Sequence, residues 1–244
     1  MSESSEWNIV TGASRGLGLK ICELLLRHDL AVIGIARTHS EEILELEAQN
    51  PAQFRFLSID LGNTDQLESA WKQQIGHDSV IRGLVNNAAT AYDDLVSNLD
   101  ESLVQNMLRV NVVSAMLLSK LCIRNMLLHK TKGTLVHISS VSAHRGYKGL
   151  SMYAATKAAL EGFSKGVARE WGSQGIRSNC VVPGFMETEM SSSLDTESRS
   201  KIYQRTSLRS PTDLSCVAET VRFLLSDESN SITGQEFIVD GGTL

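Results

Sequence analysis

The chain has 244 residues, 42% of them hydrophobic, with a formal net charge of -5. That length and apolar content bury a sizeable core as one domain, or at most two. The acidic balance leaves no broad basic field for nucleic acid, and no apolar run approaches the roughly 20 residues of a membrane span. The opening MSESSEW is polar and acidic, unlike a secretory or transit peptide, so a cytoplasmic location is expected. Cys22, Cys122, Cys180 and Cys216 are far apart and form no C-x-x-C. They read as small buried hydrophobes in a reducing compartment, the alternatives being a zinc site or a thiol nucleophile. The six histidines are scattered without ligand spacing, so no metal is expected.

Apolar, β-branched runs alternate along the chain with longer helical patterns, which predicts a parallel sheet covered on both faces. The first strand is expected over 7–10 and the first helix over 15–28. Between them stands TGASRGLG, with Gly12, Gly16 and Gly18. That is the setting of a dinucleotide-binding turn. Gly12 allows the tight exit from the strand, Gly16 the close approach of a pyrophosphate, and Gly18 the seating of the helix on the sheet. The helix N-terminus then offers free N–H groups to phosphate. Without a ligand, the same stretch is a tight strand-to-helix turn.

The second strand, 30–35, leads into Ala36 and Arg37. An NAD site usually carries a carboxylate there for the ribose hydroxyls. A guanidinium instead, helped by Arg15, suits the extra phosphate of NADP; the alternative is two solvated arginines. A helix over 41–48 and a strand over 54–59 follow, then Asp60 and Leu61 in IDLG. Asp60 suits an adenine amino group, with Leu61 against the ring; otherwise Asp60 is a turn or cap residue.

A helix over 65–75 and a strand over 81–86 precede a long apolar helix over 101–128, which contains Asn111. An amide there is expensive to bury unpaired, so Asn111 is either functional or a satisfied core amide. The fifth strand, 134–139, delivers Ser140 at its carboxyl end, where an open α/β sheet gathers its ligands. Strand alternation points Ser139 the other way. The helix over 152–171 carries Tyr153 and Lys157 on one face. A phenol titrates near pH 10, and a neighbouring ammonium lowers that value. Tyr153 is then suited to exchange a proton with a carbonyl oxygen, and Ser140 to hydrogen-bond the developing alkoxide. A strand over 176–182, a polar excursion over 187–211 with short helical turns, a helix over 214–225 and a strand over 236–239 complete the chain.

Taken in order, these residues resemble the short-chain dehydrogenase/reductase family. The resemblance covers essentially the whole chain: TGASRGLG, NNAA at 86–89, Asn111, Ser140, Tyr153, Lys157, PG at 183–184 and ITGQEFIVDGG at 232–242. Within the family it is most similar to the 3-oxoacyl-[acyl-carrier-protein] reductases. It implies a single-domain α/β, doubly wound (Rossmann) parallel sheet of about seven strands, with helices on both faces. A substrate lid over 186–210 would belong to that domain. Implied catalytic residues are Asn111, Ser140, Tyr153 and Lys157, with Asn111 anchoring a water that links Lys157 to solvent. NADP(H) is the implied cofactor, contacted by Gly12, Ser14, Arg15, Gly16, Leu17, Gly18, Arg37, Asp60 and Leu61. Further along the chain Asn87, Ala88, Tyr153, Lys157, Pro183, Gly184, Met186 and Thr188 complete that set.

Ser142, His144, Tyr147 and Met190 are candidate substrate contacts or else ordinary loop residues. The resemblance further implies a homotetramer and reduction of a carbonyl to a secondary alcohol, or the reverse, first of all on a 3-oxoacyl thioester. A steroid, sugar or other small ketone is the alternative substrate, and a non-catalytic NADP sensor or scaffold is the alternative of another class. Two arginines that meet the acidic carrier in the family are Thr131 and Gln174 here, with Lys130 and Lys132 beside the first. Ala89 replaces a family glycine, and Arg82 stands where an acid is common.

Overall fold

In a computed structural model that describes residues 6–192 and 194–244, seven apolar runs become strands: β1 (Glu6–Thr11), β2 (Ala31–Ala36), β3 (Phe54–Ser58), β4 (Val80–Asn86), β5 (Gly133–Ile138), β6 (Ile176–Pro183) and β7 (Glu236–Val239). Strands β2, β5 and β6 are buried at every position, as strands covered on both faces must be. Pairing is parallel throughout, in the order β3-β2-β1-β4-β5-β6-β7. Connectivity reverses between β1 and β4, and the carboxyl ends of strands at such a switch point are where an open α/β sheet gathers its ligands.

One face of the sheet is covered by α1 (Gly16–Arg27), α2 (Glu41–Gln49) and α8 (Leu214–Leu225), through Leu17, Ile21, Leu25, Ile43, Val217 and Val221. The other is covered by α3 (Leu67–Gln74), α5 (Ser114–His129) and α6 (Ser151–Trp171), through Trp71, Leu118, Cys122, Met126 and Val167. The excursion expected over 187–211 contains a 3-10 turn, Glu189–Ser191, and α7 (Thr196–Tyr203).

Strand and helix ends agree with the sequence reading to within a residue or two, with three corrections. The helix expected over 101–128 is broken into α4 (Glu101–Leu108), a π-helical turn at Arg109–Val113 and α5. Together, Glu101–His129 is long and apolar enough to cross a membrane, its most apolar 18-residue window having a mean hydropathy of 1.3, contrary to expectation. However, 56% of that window is buried in the fold, as a core helix requires. Finally, Cys22, Cys122 and Cys180 are buried as expected, but Cys216 is exposed on α8.

Candidate active site

The glycine turn at the end of β1 has the backbone its sequence calls for. Gly12 and Gly16 hold φ of +68° and +56°, a region L side chains rarely enter. A Cβ on Gly18 would lie 2.1 Å from the Gly12 carbonyl oxygen, so only glycine lets α1 start there. At Gly16 the nearest atom to such a Cβ is the Thr188 methyl at 3.7 Å, an ordinary contact, so no backbone atom crowds that position. Arg15 is the N-cap of α1 with no side-chain cap, and no acid stands in the first turn. The leading N–H groups and the positive end of the helix are thus left for an anion. That cradle fits a dinucleotide pyrophosphate.

The turn is held from β4. Thr11 Oγ1 donates to Val85 O at 3.2 Å and accepts from Asn87 N and Ala88 N, both at 3.0 Å. Asn87 Nδ2 donates to Thr11 O at 2.8 Å. Thr11 was not singled out from sequence; its signal is the hydroxyl that opens TGASRGLG. Ser14 O accepts from Ser40 Oγ at 2.9 Å, tying the turn to the cap of α2. Ala89 is not among the residues with positive φ, so its methyl causes no backbone strain.

Arg37 stands exposed just past β2. Arg15 is paired with Glu189 of the excursion at 2.7 Å. Asp60 forms a local turn, its Oδ1 accepting from Gly62 N at 2.9 Å. The Leu61 and Leu17 side chains lie in the core.

Tyr153 lies in the first turn of α6 and Lys157 one turn later, 2% exposed. The ammonium sits 5.5 Å from the centroid of the phenol ring and donates to Ile138 O at 2.8 Å. Burial pulls its pKa down to about 8. The protein's own groups push the Tyr153 phenol up rather than down: burial leads, and the Asp93 carboxylate adds to it. The acidified phenol expected from Lys157 alone is therefore not found. Asp93 lies on a loop clamped at both ends, Thr90 to Asn111 and Asp94 N to Gly149 O at 3.0 Å.

Asn111 falls in the π-helical turn, a distortion frequent at functional sites. Its Oδ1 accepts from Thr90 N at 2.8 Å, and its Nδ2 donates to Thr90 O at 2.9 Å and Thr156 Oγ1 at 3.1 Å. Both amide protons are committed to the protein, so the side chain anchors the Thr90 loop to α6. Ser140 lies two residues past β5 and caps the 3-10 turn Val141–Ala143, its Oγ accepting from Ser142 N at 3.2 Å. The Ser139 Oγ reaches α6 and donates to Glu161 Oε1 at 2.5 Å.

Among the substrate candidates, Ser142 is buried, and its hydroxyl has no hydrogen-bond partner among the described residues. Tyr147 is half-buried, and Met190 is 55% exposed on the excursion. His144 Nε2 lies 3.0 Å from Glu161 Oε1 and 3.6 Å from Glu236 Oε2. The fold thus brings together a His–Glu–Glu cluster that no sequence spacing reveals. Ser139 and Lys165 already bond its two carboxylates. Pro183 ends β6. At Gly184 a Cβ would lie 2.5 Å from Thr212 Oγ1. Met186 rests on the core, and Thr188 caps the turn that lies over Gly16.

A family model described as enoyl-(acyl carrier protein) reductase matches residues 12–243. The 3-oxoacyl-[acyl-carrier-protein] reductase FabG of Vibrio cholerae is 34% identical over 236 residues, covering 96% of this chain and 95% of the relative. A 4-hydroxyisoleucine dehydrogenase complexed with NADH superposes with a TM-score of 0.92 at 26% identity, covering 98% of each chain. A Beutenbergia cavernae protein proposed as an NAD(P)-dependent gluconate 5-dehydrogenase, with NADP bound at low occupancy, also reaches 0.92 at 26% identity, over 99% of this chain and 98% of its own. The match runs from the glycine turn to the penultimate residue on the same sheet, and the chain belongs to the short-chain dehydrogenase/reductase family.

Proposed function

We propose that this oxidoreductase uses NADPH to reduce a carbonyl to a secondary alcohol, or runs the reverse, and that its first substrate class is a 3-oxoacyl thioester. The observation that carries the reading is the placing of Tyr153 and buried Lys157 on one face of α6. Its support is the Ser140 turn at the end of β5. Gly12, Gly16, Gly18 and the first turn of α1 hold the pyrophosphate, Arg37 and Arg15 face the added phosphate, and Asn87 holds the turn in shape. The nicotinamide, when bound, supplies the hydride for the carbonyl carbon and, once oxidised, a positive charge that favours a phenolate. Ser140 donates a hydrogen bond to the carbonyl oxygen and fixes its direction. Tyr153 gives its proton to that oxygen as the alcohol forms. Lys157 keeps cationic charge beneath the phenol, and Asn111 fixes the loop that carries Asp93. The unpaired Ser142 hydroxyl is a second donor to the substrate, and residues 186–210 close over its chain.

The thioester is supported by similarity to FabG. A small free ketone is favoured by Thr131 and Gln174: backbone pairing of Gly133 N with Gly175 O at 3.3 Å brings their turns together, with Lys130 and Lys132 beside the first. A cytoplasmic tetramer is part of the proposal. Its support is apolar surface left exposed on α4 and α5 at Leu103, Leu108 and Leu128.

The test is loss of absorbance at the reduced-nicotinamide band with NADPH and a panel of ketones and free or carrier-bound 3-oxoacyl thioesters. Turnover of the thioesters, falling with salt only for the carrier-bound form, supports carrier docking. Turnover of small ketones alone moves the substrate to the second reading. No turnover of any carbonyl in either direction, despite tight NADPH binding, makes the protein a sensor.

A further inference from the structure

Glu161 lies on α6 one turn beyond Lys157 and two turns beyond Tyr153, and is only 8% exposed. A carboxylate is costly to bury unless its oxygens are bonded. Its Oε1 accepts from Ser139 Oγ at 2.5 Å and stands 3.0 Å from His144 Nε2. Those two partners bracket Ser140. Ser139 precedes it, and His144 follows the Val141–Ala143 turn that Ser140 caps. One oxygen atom therefore grips both sides of the segment that presents the Ser140 hydroxyl.

The grip is itself braced. Ser139 N donates to Val181 O of β6 at 2.8 Å, and Ser139 Oγ also reaches Lys157 O at 3.4 Å. On the far side, His144 Nε2 lies 3.6 Å from Glu236 Oε2 of β7, and Lys165 Nζ lies 2.6 Å from Glu236 Oε1. The helix that carries Tyr153 and Lys157 is thereby joined to the loop that carries Ser140. A misplacement of about 1 Å in such a constellation costs on the order of 100-fold in rate.

We infer that Glu161 is a positioning residue for the proposed reaction, setting the Ser140 turn in register with Tyr153 and Lys157 through Ser139 and His144. The inference rests on the carbonyl-reductase reading and adds the element that fixes its geometry. Glu161 touches neither the substrate nor the nicotinamide; it acts through Ser140.

The experiment is a double-mutant cycle between Glu161→Ala and Ser140→Ala, with NADPH and a carbonyl compound that the wild type turns over. Glu161→Ala is expected to lower kcat roughly 10- to 100-fold and leave the KM for NADPH within about twofold. Glu161→Gln, whose amide oxygen still accepts from Ser139, recovers most of the rate. In the Ser140→Ala background, Glu161→Ala costs less than about twofold further. Full multiplication of the two losses overturns the inference, as does an unchanged kcat in Glu161→Ala. Should Glu161→Ala fail to fold, Ser139→Ala and His144→Ala are run in the same cycle under the same criteria. A readout free of turnover accompanies it: crystal structures of wild type and Glu161→Gln or His144→Ala. A shift of the Ser140 hydroxyl relative to Tyr153 in His144→Ala, smaller in Glu161→Gln, supports the clamp; an unmoved hydroxyl in both overturns it. Wild type that reduces no carbonyl defeats the reductase reading, while the crystallographic comparison still decides the clamp.

Discussion

Lys157 Nζ donates to the carbonyl oxygen of Ile138 across 2.8 Å, so the last residue of β5 holds the cation that α6 brings beneath Tyr153. The ammonium is thus satisfied by backbone, in a place where burial lowers its pKa from 10.5 to about 8. Between these values the unfolded chain binds a proton that the folded chain does not, so stability rises with pH across that window. Wild type should gain about 3 kcal/mol on Lys157→Met between pH 8 and pH 10.5, read from paired denaturant titrations. A constant difference between the two proteins contradicts the buried, depressed amine. At pH 7 the same variant should lose roughly 100- to 10,000-fold in turnover.

His137, fully buried in β5, is linked to pH with the same sign in a more acidic window. Its ring lies 3.1 Å from Asn86 Nδ2 and 3.2 Å from Ser178 Oγ, and burial lowers its pKa from 6.5 to about 4. The folded protein holds it neutral while the unfolded chain protonates it below pH 6.5. Its contribution is complete above pH 6.5 and is lost as pH falls toward 4, about 3 kcal/mol in all. Urea titrations at pH 7 and pH 4.5 should show His137→Gln losing less stability than wild type over that step. Equal losses contradict this.

Arg37 should decide the cofactor. Reversing it in Arg37→Asp removes charge-assisted bonds to a phosphate and supplies an acceptor for ribose hydroxyls. The KM for NADPH should rise roughly 10- to 100-fold, and that for NADH should stay within about threefold. Equal effects on both remove Arg37 from the phosphate site.

The glycines of the cradle should separate by role. Gly18→Ala puts a methyl 2.1 Å from the backbone oxygen of Gly12, which cannot yield cheaply. Gly16→Ala meets only the Thr188 side chain at ordinary contact distance but strains a positive φ, at about 1 kcal/mol. Thermal denaturation should therefore find Gly18→Ala far less stable than Gly16→Ala. NADPH titration should find Gly16→Ala folded but weakened in binding. The reverse order contradicts the assignment.

The sheet was legible because its strands are short and rich in apolar, β-branched residues and its helices carry clear stripes. Tyr153, Lys157 and Ser140 were legible because their spacing maps directly onto one helix face and one strand end. The break at Arg109–Val113 was not: RVNVV has no glycine or proline to mark it, and the π-helical turn coincides with the tertiary bonds of Asn111 to Thr90 and Thr156. Glu161 left a faint trace, an acid on the buried stripe of YAATKAALEGF, but its partners Ser139 and His144 lie in another segment. The sign of the effect on Tyr153 was missed for a related reason. Spacing gives Lys157 as a neighbour but does not give the burial of the phenol, which leads the upward shift, nor the approach of Asp93.

The central claim is that the Tyr153 hydroxyl passes the proton. The direct measurement compares NADPH consumption by wild type and Tyr153→Phe on the best carbonyl substrate, with NADPH affinity measured in parallel. The account predicts that Tyr153→Phe binds NADPH as wild type does and loses roughly 100- to 10,000-fold in kcat. Equal turnover by the two proteins would contradict it.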